Sequence, residues 1–81
     1  MEFLFERFMR SELSPFVHKL IFDAVREHEA RPELELETFE LNCFDITLDF
    51  VNNLALIQDV TDASPSGKLQ LPLDEFLRRL N

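Results

Sequence analysis

The chain predicts an α+β fold: N-terminal helices packed on a three- to four-stranded antiparallel sheet, with a C-terminal helix. Three observations lead there. Apolar residues recur at helical spacing as far as Arg31, the period shortens to two from Glu33, and helical spacing returns at Leu73. The 81 residues make a single domain, 1–81, of a size that forms a core with little margin. Nine Phe and a 46% hydrophobic content suit a folded globule, because a disordered acidic chain is poor in aromatics.

Residues 2–13 place Phe3, Leu4, Phe5, Phe8, Met9 and Leu13 at spacings of four and five, which predicts a short helix. Ser14-Pro15 marks a fresh start, with Ser14 as N-cap and Pro15 at the first helical position, where the missing N–H costs nothing. Val17, Leu20, Ile21, Ala24 and Val25 then form an amphipathic stripe. Arg31-Pro32 ends it, since the residue before a proline is pushed out of the α region.

From Glu33 the pattern is that of strands. Leu34 and Leu36 form one phase, Phe39, Leu41 and Cys43 a second, and Phe44, Ile46, Leu48 and Phe50 a third. Each slip in phase, near Thr38 and near Cys43, requires a bulge, a bend or a new strand, because a shift of one residue exchanges the two faces. Cys43, in phase with Phe39 and Leu41, is expected in the core. Asn52-Asn53 is the expected turn. A three-residue loop of Val51, Asn52 and Asn53 sets Phe50 against Leu54, Leu48 against Leu56 and Phe44 against Val60 on one face, and needs a left-handed residue that Asn tolerates. The other face then carries Asp49 beside Ala55, Thr47 beside Ile57, and Asp45 opposite Asp59. Thr61–Gly67 is a loop by composition, and Lys68–Leu71 adds a short strand. Leu73, Phe76, Leu77 and Leu80 predict the last helix, with Asp74 and Glu75 at its positive end and Arg78 and Arg79 at its negative end.

Charge is distributed as unevenly as hydrophobicity. Residues 32–67 hold eight carboxylates and no Lys or Arg, while the flanks cancel, so the net charge of −8 resides in the middle. That surface repels phosphate backbones and anionic lipid, and no run approaches the roughly 20 apolar residues that span a bilayer. Direct nucleic-acid or membrane binding is therefore not expected. The N-terminus has no signal-type apolar run and the one cysteine forms no internal disulfide, so a cytoplasmic location is expected.

Catalytic and cofactor chemistry finds little foothold. Ser14, His18 and Asp23 lack the context of a nucleophile, and capping accounts for Ser14. His18 and His28 stand too far apart on one helix to share a metal, Cys43 has no second ligand, and Glu33, Glu35 and Glu37 lack the glycine turn of a calcium loop. One glycine leaves no phosphate-cradling loop. No enzyme activity, metal or cofactor is expected. The acidic face is the candidate site instead, with Glu35, Glu37, Asp45, Thr47, Asp49 and Asp59 around the apolar Ile57. Like charges set directly opposite, as expected for Asp45 and Asp59, oppose pairing by about 0.2–1 kcal/mol, a cost easier to understand where the face meets a cationic partner.

The segment from Cys43 through Asp45, Asp49 and Asn52-Asn53 to Val60, followed by a polar loop and the Leu-x-x-Phe-Leu-x-x-Leu pattern of 73–80, resembles the C-terminal half of small acidic bacterial immunity proteins. These belong to contact-dependent inhibition and related polymorphic toxin systems. The resemblance implies a non-enzymatic protein that binds a cognate toxin domain, often a nuclease, in the cytosol and occludes it. No binding residue carries over by motif. Two other readings use the same features: a phage-type nucleic-acid mimic, and a module that homodimerises through its sheet edge.

Overall fold

The computed structural model describes residues 3–62 and 64–80; Glu2 and Ala63, included above in the first helix and the polar loop, lie outside them. In chain order the elements are α1 (Phe3–Ser11), α2 (Pro15–Ala30), β1 (Leu36–Glu40), β2 (Phe44–Asp49), β3 (Leu54–Asp59), a 3₁₀ turn (Pro65–Gly67), β4 (Lys68–Pro72) and α3 (Leu73–Leu80). The α+β class expected from the sequence is therefore observed, with four strands. Ser14 caps α2, its Oγ accepting the Val17 N–H at 3.2 Å, and Arg31 closes the helix by donating its N–H to the Glu27 carbonyl. The nine residues of α1 are too few to hold a helix alone, so tertiary packing supports it.

The strands form an antiparallel meander in the order β1-β2-β3-β4. The β1–β2 pairing runs unbroken from Leu36 opposite Asp49 to Glu40 opposite Asp45, so no bulge occurs near Thr38. Leu36 is instead exposed on one face, while Phe39 points to the other. The slip at Cys43 is a tight hairpin. Leu41 donates its N–H to the Phe44 carbonyl at 2.9 Å, which leaves Asn42 and Cys43 at the tip, and Cys43 is exposed rather than in the core.

The second hairpin corrects the expected register. Asp49 pairs with Leu54, so the loop is four residues long, Phe50 to Asn53, instead of three. Asn53 occupies the left-handed region at φ 57°, as a turn of this kind requires. Asp49 organises the loop: its carboxylate accepts the N–H groups of Val51 and Asn52 at 3.1 Å and the Asn52 side-chain amide at 2.9 Å. Phe50 has no partner on β3 but donates its N–H to the Glu35 carbonyl, and its ring stacks flat against His28 of α2, ring centroids 4.2 Å apart. One extra loop residue inverts the faces of β3 relative to β2. Asp45 consequently faces Gln58 rather than Asp59, Ile46 faces Ile57, and Phe44 faces Asp59.

All three helices cover the same side of the sheet. Phe44, Ile46, Leu48, Ala55, Ile57 and Leu71 are buried there, whereas every residue of the opposite side keeps some exposure. Phe8 of α1 meets Phe44 edge-on at 5.7 Å and Phe76 of α3 at 6.3 Å, so the first and last helices share one aromatic cluster. Burial of such a side chain contributes about 1.5–3 kcal/mol, enough to anchor a helix as short as α1.

Candidate functional site: the open face of the sheet

The uncovered face is built by alternation from four strands. Leu36, Thr38 and Glu40 of β1 lie beside Asp49, Thr47 and Asp45 of β2, and these beside Leu54, Leu56 and Gln58 of β3. Lys68, Gln70 and Pro72 of β4 complete it. Thr38 Oγ1 and Thr47 Oγ1 stand 3.3 Å apart at its centre, which verifies that the side chains share one side. Leu54 and Leu56 are half-buried and Leu36 is 57% exposed, so apolar side chains gather toward the Asp49 end of the face and the Glu40–Asp45 end is polar.

Glu40 and Asp45 sit directly opposite each other across β1 and β2. They form a non-hydrogen-bonded pair, the closer of the two antiparallel geometries, because the ladder bonds fall at Leu41–Phe44 and at alternate residues from there. Neither carboxylate has an ion pair among the described residues. Among the described residues the one base on the face, Lys68, lies in the same row two strands from Asp45 and three from Glu40, about 10 and about 14 Å at the usual strand spacing. At the far end, Asp49 is held below the ordinary aspartate range chiefly by the Asn52 side-chain amide, then by the Asn52 N–H. It stays ionised while it shapes the turn.

The expected site residues divide between locations. Asp45, Thr47 and Asp49 lie together on the open face. Ile57 does not join them: the four-residue turn directs it into the core, where it is fully buried against Ile46. Asp59 turns inward for the same reason and is 3% exposed. Glu37 points to the covered side beside Leu48, half-buried at the rim, and Glu35 precedes β1, exposed, with its carbonyl accepting the Phe50 N–H. Glu40, Leu54 and Leu56 were not singled out from the sequence. Counting the turn at four residues supplies Leu54 and Leu56, and the β1–β2 register supplies Glu40.

No family model, curated protein or solved structure matches this chain. Function is therefore read from the residues themselves.

Asp59 has structural work. Its Oδ1 accepts the Thr61 hydroxyl at 2.7 Å and the Thr61 N–H at 2.9 Å, and its Oδ2 accepts from Arg7 of α1 at 2.8 Å. The Thr61 bonds foremost, and the Arg7 guanidinium behind them, hold its carboxyl below the ordinary value. A cavity of about 450 Å³ beside it is bounded by Arg7, Arg10, Cys43, Phe44 and Thr61. Among the described residues no group of three His, Cys, Asp or Glu side chains is placed to hold a metal ion. Ser14 is engaged as the α2 cap, and Asp23 bonds Lys19 at 2.7 Å and also Arg26. No described helix is long and apolar enough to cross a membrane.

Proposed function

We propose that this chain is a non-enzymatic immunity protein that neutralises a cognate toxin domain, a nuclease by preference, by laying the open face of its sheet over the toxin's basic active-site cleft. The observation that carries this reading is the Glu40–Asp45 pair: two carboxylates directly opposed, without a base, on a face that no helix covers. Their juxtaposition costs about 0.2–1 kcal/mol in the free protein. Arg or Lys side chains arriving from a partner turn that repulsion into attraction. Leu54, Leu56 and Leu36 supply the apolar contact that charge alone does not, so Glu40, Asp45 and Asp49 speed association while these leucines slow dissociation.

Inhibition then needs no chemistry. A cleft that binds phosphates by positive charge is occupied by carboxylates instead, and the nucleic acid is excluded. Such a protein works in the cytoplasm of the cell that makes the toxin. Co-purification with the product of the adjacent gene tests the reading: a complex is expected, and Asp45→Lys with Asp49→Lys slows its formation and weakens it. Unchanged affinity in that double variant rejects the face as the interface.

A further inference from the structure

β1 is an edge strand with one side of its backbone unused. The Leu41 N–H bonds the Phe44 carbonyl and the Phe50 N–H bonds the Glu35 carbonyl, so residues 35, 37, 39 and 41 bond to β2. Alternation directs the N–H and C=O groups of Leu36, Thr38 and Glu40 away from the sheet. All three residues are exposed, and those backbone groups have no hydrogen-bond partner among the described residues. The opposite edge differs. There the outward positions are Lys68, Gln70 and Pro72; Pro72 has no N–H to offer, and α3 begins at the next residue.

We propose that the free edge of β1 receives an extended cationic segment of the partner, which adds to the sheet as a fifth, outer strand; this rests on the reading of the chain as a receiver of a basic protein. Charge selects the occupant. Glu40 projects on the open side and Glu37 on the covered side, with Glu33 and Glu35 immediately before, so an added strand passes carboxylates on both of its faces. Leu36 and Phe39 supply an apolar neighbour on each side. A second copy of this chain is disfavoured at the same edge, because pairing would bring together two sets of Glu35, Glu37 and Glu40, none of which has an ion pair among the described residues; only Glu33 has one, with Arg31. Backbone bonds give the added strand affinity and the glutamates give it selectivity.

The test uses a short synthetic peptide alternating lysine and valine, and a counterpart alternating glutamate and valine, titrated into the full chain. Expected is slowed amide hydrogen exchange at Leu36, Thr38 and Glu40 with the lysine peptide and none with the glutamate peptide. Thr38→Pro, which removes an outward N–H and leaves the β1–β2 ladder intact, weakens the lysine peptide about tenfold, on the order of one lost backbone hydrogen bond. Should Thr38→Pro fail to fold, the variant Glu37→Lys with Glu40→Lys keeps the backbone and reverses the preference toward the glutamate peptide. Lysine peptide that binds without slowing exchange at the three amides overturns the proposal, as does a homodimer that Thr38→Pro abolishes. Against the adjacent gene's product, loss in Asp45→Lys/Asp49→Lys but not in Thr38→Pro rejects the edge and keeps the face. Loss in neither rejects both.

Discussion

Arg7 of α1 donates to the Asp59 carboxylate at 2.8 Å across 52 residues of chain, joining the first helix to the end of β3. Asp59 is the one charged residue buried among those described, and it accepts three hydrogen bonds. Its folded-state pKa lies below the ordinary 3.8. The unfolded chain therefore binds more protons between those two values, and stability rises with pH there. The contribution is complete above about pH 4 and disappears as pH falls through the folded value. Asp59→Asn is expected to lower stability at neutral pH and to flatten the acid limb of the unfolding profile. Urea titrations at pH 3, 4 and 7, chosen to bracket about 3.9, measure this directly; an unchanged acid limb would show that Asp59 is not the linked group.

The register of the second hairpin has its own test. Ile57 is fully buried and Leu56, its neighbour in sequence, lies on the open face. Ile57→Ala should cost about 2–5 kcal/mol, whereas Leu56→Ala should cost less than half as much. Chemical denaturation of the two variants decides between the registers, because the three-residue turn reverses their order.

Gly67 is buried at the close of the 3₁₀ turn, and a Cβ there would stand 2.3 Å from the Asp62 carbonyl oxygen. That oxygen belongs to the backbone and cannot swing aside. Gly67→Ala should therefore destabilise by about 1–3 kcal/mol, as overpacking does. A midpoint equal to that of the parent in thermal unfolding would show that the 62–67 loop yields freely.

Glu40 sets stability against binding. Glu40→Lys replaces a repulsive cross-strand pair with an attractive one, so the free protein should gain about 0.2–1 kcal/mol. The same substitution should weaken the complex with the adjacent gene's product. Unfolding and binding measured on one preparation check both signs, and a gain in both would remove the reason for placing the acid there.

Local signals carried most of the fold. Ser14-Pro15 started α2, Pro32 closed it, and the spacing of Leu73, Phe76, Leu77 and Leu80 gave α3. β3 was harder because both of its faces are apolar: Leu54 and Leu56 on one side, Ala55 and Ile57 on the other. Hydrophobic pattern has no vote in such a strand, so its orientation passed to the turn, where the Asp49 carboxylate holds Val51 and Asn52, and Phe50, kept on the covered side against His28, goes unpaired with β3. That single residue moved Ile57 and Asp59 inside and left Leu54 and Leu56 out. Asp45, Thr47 and Asp49 were legible as one face because β2 is apolar on its other side alone. Glu40 was not, since Leu36 and Phe39 gave β1 an ambiguous phase.

The most direct test of the central claim is the affinity of the adjacent gene's product for the parent chain and for Asp45→Lys/Asp49→Lys, with both proteins shown to be equally folded. The open acidic face predicts a complex that weakens in the double variant, chiefly through slower association, and more so at low salt than at high. Equal affinities for the two proteins, or no complex with the parent, would contradict it.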